Sequence, residues 1–229
     1  MIPLLPVYRP GPHLPELAAE LLRTGSTAGV VVVDDGSGPS SAGPLDAAED
    51  LGCTVLRHDT NRGKGIALKT GLRHIADAFP GEDAVSADAD GQHSVADIER
   101  VGRRVGDTGR LVLGVRNFDT DVPLRSRFGN GLTRLLFRAA TGRDVRDTQT
   151  GLRGYPAGLF PWLLAVPGEQ FEYEMNVLLR AARDGHPVDQ VDIATTYLAD
   201  NASSHFGSLS DSVRIYRPLL RYALTPGGR

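Results

Sequence analysis

Four consecutive valines, Val30 to Val33, run straight into Asp34-Asp35-Gly36-Ser37. An unbroken β-branched run has no polar face, so it suits a strand of a parallel sheet covered by helices on both sides. Such a strand needs neighbours built alike, and the chain supplies them. "IPLLP", "CTVLRHD", "DAVSAD" and "LVLGV" alternate with the helical patterns "LPELAAELLRTG" and "GIALKTGLRHIADAF". That alternation predicts an α/β fold, a mostly parallel sheet flanked by helices. In the helix after Gly65, the residues Ile66, Leu72, Ile75 and Phe79 fall near helical spacing and predict its buried stripe. Further on, "LRSRFGNGLTRLLFRAATG" and "FEYEMNVLLRAARDG" read as helices, the second ended by Gly185, and "VDQVDIATTYL" alternates like a strand. A last amphipathic helix is expected over about 208–224, with Pro218 kinking it.

The 229 residues suit one domain spanning 1–229, and 41% hydrophobic against 23% charged residues excludes extensive disorder. A net charge of -3 gives no global attraction to nucleic acid, and the single Cys53 rules out an internal disulfide or a cysteine zinc cage. No leader is visible, and no apolar run approaches the roughly 20 residues that cross a bilayer. A cytoplasmic protein is expected, with any membrane contact peripheral.

In open α/β sheets ligands bind beyond the carboxyl ends of the strands, and acidic clusters follow three of these segments: "VVVVDDGS", "SADADGQH" and "RDTQTG". "DDGS" alone reads equally as a strand-ending turn. Asp88 and Asp90 lie two apart, so in extended chain both side chains face the same way and can share one divalent cation, with Gln92 continuing that face. Magnesium commonly takes one or two carboxylates and fills its remaining positions with water and substrate phosphates. An EF-hand loop would need Asp or Asn at position 92 and glycine at 93. An aspartyl phosphatase would need Thr or Val at 92, and neither spelling is met. GxGxxG and GxxxxGK[ST] are also absent. "NRGKG" sets Arg62 and Lys64 at a glycine-rich helix start, a pattern that fits either an anion site or a capped helix with solvated basic residues.

In their order, "PVY", "VVVVDDGS", "NRGKGIALKTGL", "SADADGQH", "LGVRN", "RDTQTGLRGY" and "FEYEMNVLLRA" resemble the family 2 glycosyltransferases of the GT-A fold. Within that family the likeness is to the polyprenyl-phosphate (dolichyl-phosphate) mannosyl- and glucosyltransferases. The resemblance implies that Pro6, Tyr8 and Asp35 hold the nucleotide. It also implies that Asp88, Asp90 and Gln92 bind Mg²⁺ or Mn²⁺ on the donor diphosphate. Arg116 matches an arginine near the transferred or acceptor phosphate, and Arg125 or Arg127 is a candidate for a second. "DTQTG" nominates Asp147 and Gln149 for the reaction centre. Two departures stand out: Pro10 replaces an acid of the family's "PxYNE", and His205 stands where the mannosyl branch has a lysine, which makes it a candidate phosphate partner.

The reaction so implied is inverting transfer of a hexose from UDP-glucose or GDP-mannose, with charge building on the leaving diphosphate beside Asp90, Arg62 and Lys64. The resemblance implies a polyprenyl phosphate acceptor and a location on the inner face of a membrane, with room for a separate membrane-spanning partner. A phosphate acceptor needs no strong base. A sugar hydroxyl or other soluble acceptor would need one, and Asp147 is the candidate. Arg214, Arg217 and Arg221 share a helical face that suits an anionic membrane surface or an ordinary amphipathic helix. Glu172 and Glu174 look active-site-like by the resemblance, yet acids also suit a helix start.

Overall fold

The valine run is one strand of a seven-stranded sheet in a computed structural model that describes residues 1–116, 124–194, 217–220 and 222, with the backbone alone for 124–130. The elements run β1 (Ile2–Val7), α1 (His13–Arg23), β2 (Val31–Asp34), α2 (Ala42–Asp50), β3 (Thr54–Arg57), α3 (Lys64–Ala78) and β4 (Ala84–Ser86). They continue α4 (Val95–Thr108), β5 (Leu111–Arg116), α5 (Leu124–Thr141), β6 (Arg153–Tyr155), α6 (Phe160–Leu164), α7 (Glu172–Asp184) and β7 (Val188–Ile193). Sheet order is β3-β2-β1-β4-β6-β5-β7, parallel except for β6, which runs antiparallel to β4 and β5.

Val30 to Val33 are each no more than 1% exposed, as a doubly covered strand requires. Successive side chains part to opposite faces. Val32 joins Leu5, Leu14, Leu17, Ile98 and Val101 on the side of α1, α2 and α4. Val31 and Val33 join Leu4, Leu68, Leu72 and Tyr173 on the side of α3, α6 and α7. A third cluster packs Val115, Phe137, Leu178 and Leu219, so the helical residues 217–220 return to the sheet.

Two expectations are corrected. The buried stripe of α3 is Leu68, Leu72 and Ile75 with Gly71 set against Leu4, while Ile66 and Phe79 are only partly buried. The "RDTQTG" cluster does not follow a strand but precedes β6. Because β6 is antiparallel, its amino end lies level with the carboxyl ends of its neighbours: Arg153 pairs with Ser86, the last residue of β4. The cluster therefore reaches the expected edge by the opposite route. Of the expected helix over 208–224, only 217–220 and 222 lie among the described residues, and they are helical.

Candidate active site

The carboxyl ends of β1, β2 and β4 bring three loops together. After β2, Gly36 adopts φ +73° and approaches Thr60 so closely that an added Cβ would lie 2.3 Å from its carbonyl carbon. Asp34 folds this turn by accepting hydrogen bonds from the Ser37 amide, at 3.0 Å, and from the Ser37 hydroxyl. The Ser37 hydroxyl oxygen in turn accepts from the Arg9 amide at 2.7 Å, which ties the turn to the end of β1, where Pro6 and Tyr8 stand. Tyr8 carries the Arg9 guanidinium 5.1 Å from its ring centre.

Asp35, expected at the nucleotide, is 4% exposed and accepts from the Arg62 amide at 2.9 Å and the Gly63 amide at 2.7 Å. The His58 ring nitrogen Nδ1 lies 2.8 Å from it, and the opposite ring nitrogen lies 3.0 Å from the Thr70 hydroxyl. Asp35 thus anchors the 62–63 loop to β2. Arg62 contributes here through its backbone, with its side chain at the exposed surface.

The glycines of "NRGKG" do not open a free anion site. A Cβ on Gly65 would come within 2.7 Å of the Tyr173 Cβ, and one on Gly63 within 2.4 Å of the Gln170 side chain. The Ile66 amide of the first turn donates to the Glu169 carbonyl at 3.0 Å. These glycines let the start of α3 abut the segment before α7, and that contact delivers Lys64. Its ammonium donates to Asp88 Oδ1 at 2.8 Å and pairs with Glu174 Oε2 at 3.3 Å.

Burial would push Asp88 up, but the Lys64 ammonium, with smaller pulls from His93 and Arg116, overrides it and holds the carboxyl at about 2. Burial would likewise lower Lys64, and the Asp88 and Glu174 carboxylates instead raise it. Asp90 moves the other way, raised by burial and then by the charge of Asp88. It accepts from the Gln92 side-chain amide at 2.8 Å and its backbone amide at 3.1 Å. His93 is 8% exposed, its Nδ1 has no hydrogen-bond partner among the described residues, and burial lowers its pKa.

The loop before β6 closes the far side. Arg116 forms a two-point ion pair with Asp147, Nε to Oδ2 at 2.6 Å and Nη2 to Oδ1 at 3.0 Å. Asp147 is fully buried, and its Oδ1 also takes the Gln149 amide at 3.2 Å. Gln149 donates from its side chain to the Thr133 hydroxyl at 3.2 Å. A base must present a lone pair to the incoming hydroxyl, and an inaccessible carboxylate chelated by a guanidinium does not. As the structure stands, Asp147 orients Arg116. Arg125 and Arg127 have no described side chains, and His205 lies outside the described residues.

Sequence reasoning missed Arg153 and Gly151 altogether. Arg153 is 2% exposed, and it donates to the carbonyls of Thr150 at 2.8 Å, Thr148 at 3.0 Å and Glu174 at 2.8 Å. A Cβ on Gly151 would lie 2.1 Å from Asp88 Oδ2, and the Gly151 carbonyl accepts from Ser86 at 3.0 Å. The one available signal was an arginine inside the short apolar stretch "GLRGY".

The donor set suits a small, hard cation. Asp88 and Asp90 offer only oxygens, and a nearby cation would oppose the upward shift that burial and then the charge of Asp88 give Asp90. Among the described residues no three His, Cys, Asp or Glu side chains form a metal cage. A magnesium-like ion that completes its shell with phosphates and water needs none.

A family model described as "Glycosyl transferase family 2" matches residues 4–160. The chain is 31% identical over 174 residues to an uncharacterized protein of Methanocaldococcus jannaschii, an alignment that covers 73% of this chain and 70% of that protein. It is 30% identical to the UDP-N-acetylglucosamine–dolichyl-phosphate N-acetylglucosaminyltransferase of Methanococcus voltae, over 62% of this chain and 59% of the relative. It is also 30% identical to an undecaprenyl-phosphate 4-deoxy-4-formamido-L-arabinose transferase of Pseudomonas aeruginosa, over 71% of this chain and 48% of the relative. The matches thus span only half to three-fifths of the length of the two named transferases. In fold, the chain is similar to glucosyl-3-phosphoglycerate synthase from Mycobacterium tuberculosis, solved with Mn²⁺, UDP and phosphoglyceric acid. That likeness has a TM-score of 0.70 at 19% identity and covers 98% of this chain and 78% of the synthase.

Proposed function

Because this chain belongs to glycosyl transferase family 2 and has the GT-A fold, we propose that it transfers a hexose, with inversion, from a nucleoside-diphosphate sugar to a polyprenyl phosphate. The two named relatives support that acceptor, since each carries a polyprenyl phosphate in its name. Residues 1–229 act as one catalytic domain on this reading.

The observation that carries the reading is the two-point pair between Arg116 and buried Asp147. On this reading Asp147 serves to orient Arg116 rather than to act as a base for a hydroxyl acceptor. A phosphate monoester has a second pKa of about 6 and arrives as a nucleophile at neutral pH, so it needs none. Arg116, oriented by Asp147 at the end of β5, would then receive the acceptor phosphate, since guanidinium groups match phosphate oxygens in pairs. Arg125, Arg127 and His205 are the further candidates for that phosphate.

On the donor side, Pro6 and Tyr8 at the end of β1 line the nucleotide crevice, and Asp35 keeps the 62–63 loop closed against it. Asp88 and Asp90, with Gln92, would hold Mg²⁺ or Mn²⁺, which would neutralise charge on the leaving diphosphate. Lys64 adds a second positive charge beside them, and Gln149 is left to orient the sugar. Mn²⁺ and UDP beside the fold neighbour support a divalent ion and a uridine donor.

No helix among the described residues is long and apolar enough to cross a membrane. Access to a polyprenyl phosphate on this reading would bring the domain to an anionic inner membrane face, by peripheral contact or through a membrane-spanning partner.

The test supplies purified protein with Mg²⁺ or Mn²⁺, UDP-glucose or GDP-mannose, and a short polyprenyl phosphate, and follows product by mass. The expected product is a hexosyl phosphoprenol, absent without metal and lost in Asp88→Asn and Asp90→Asn. Sugar moved only to a water-soluble acceptor, with the prenyl phosphate ignored, would overturn the acceptor assignment.

A further inference from the structure

We propose that the Lys64 ammonium competes with the bound metal ion for Asp88, and that Glu174, by offering that ammonium a second carboxylate, sets how tightly the site holds the metal. The inference rests on the metal role of Asp88 and Asp90 proposed above.

Lys64, Glu174 and Arg153 come from three elements, the starts of α3, α7 and β6, and form one line of alternating charge ending at Asp88. Lys64 Nζ is 2.8 Å from Asp88 Oδ1, and the other oxygen, Oδ2, is walled by Gly151, where even a Cβ would fall 2.1 Å away. A cation approaching Asp88 thus meets a positive group already on the carboxylate. Like charges sharing one carboxylate oppose each other strongly in a partly dehydrated site, since the Lys64 side chain is only 15% exposed.

Relief is close by. Glu174 Oε2 is 3.3 Å from the same ammonium, so Lys64 can transfer its weight to Glu174 by a small side-chain rotation. Glu174 is itself paired on its far side. Its other oxygen lies 3.3 Å from Arg153 Nε, and Arg153 is pinned by three main-chain carbonyls. A carboxylate paired with Arg153 on one side and with the Lys64 ammonium on the other makes Glu174 a positioning residue that acts on the metal site through Lys64.

This coupling gives effects of opposite sign from two neighbours, which a merely structural role would not. Mn²⁺ affinity, read by electron paramagnetic resonance on the full chain without nucleotide, should tighten about tenfold in Lys64→Met and weaken about tenfold in Glu174→Gln. The double variant should match Lys64→Met, because without the ammonium Glu174 has nothing to hold. Lys64→Gln provides the same test in a polar side chain should the methionine variant fail to fold. Both single variants weakening binding, or Glu174→Gln still weakening it in the Lys64→Met background, would overturn the inference. Asp88→Asn and Asp90→Asn separate the two readings: if neither reduces Mn²⁺ binding, the metal site itself is wrong. If both abolish it and Lys64→Met does not tighten it, only the competition is wrong.

Discussion

Single atoms decide what the acidic residues of this site can do. Asp35, Asp88, Asp90 and Asp147 look interchangeable in sequence, yet Asp147 is sealed against Arg116 and Asp35 is bonded to two loop amides. Asp88 keeps its geometry because residue 151 has no side chain. Gly151→Ala sets a methyl 2.1 Å from Asp88 Oδ2, far inside contact distance, so the carboxylate must turn away. The expected result is loss of Mn²⁺ binding and of sugar transfer by at least about tenfold, with the urea midpoint lowered by no more than overpacking of about 1–3 kcal/mol allows. Titration of Mn²⁺ alongside urea unfolding separates the two effects. Unchanged metal affinity would show that Asp88 is not held by this contact. The sequence made Asp35, Asp88 and Asp90 visible as candidates because they follow strands, and Asp147 because "DTQTG" matches a family motif. It could not rank them, since rank depends on partners that lie 24 to 31 positions away, Lys64 for Asp88 and Arg116 for Asp147.

At the level of elements, periodicity carried the strands and most helices, and failed where contact rather than pattern chose the residue. The valine run, α5 and α7 with its Gly185 cap stand where spacing put them. β6 was invisible because it is three residues long and contains a buried arginine, a residue that strand patterns exclude. The glycines Gly63 and Gly65 at the start of α3 fitted either an anion site or a capped helix in sequence, and in the structure they are small because the approach of α7 and the segment before it leaves no room. Replacing Gly65 by alanine should therefore cost about 1–3 kcal/mol despite alanine's better helix propensity, since its Cβ would press within 2.9 Å of the Glu169 backbone. Gly43 in α2 is the control. Nothing lies within 4 Å of its Cβ position, and alanine there should stabilise by up to about 1 kcal/mol. Urea midpoints of the two variants moving in opposite directions would bear this out, and a neutral Gly65→Ala would refute close packing as the reason for the glycine.

The whole molecule hangs on charge as well as on its two apolar faces. Arg153, Glu174, Lys64 and Asp88 join β6, α7, α3 and the end of β4 through the middle of the sheet, so their ionisation is coupled to global stability rather than to one loop. Asp88 titrates at about 2 when folded and near its ordinary value of 3.8 when unfolded. A carboxylate lowered by folding stabilises above its unfolded value, and that contribution disappears as pH falls through the folded one. Lys64 is raised above its ordinary 10.5, so its contribution is complete below that value and fades as pH climbs beyond it. Stability measured with a chelator present should thus fall on the acid side between about 4 and about 2, and on the basic side only above about 10.5. Lys64→Met should flatten both limbs at once, because the same ammonium lowers Asp88 and is itself the group that titrates at high pH. Asp88→Asn should flatten the acid limb and much of the basic one as well, since Asp88 raises the lysine more than Glu174 does. An unaltered acid limb in Lys64→Met would mean that other carboxylates govern acid unfolding and that the central charge line is local after all.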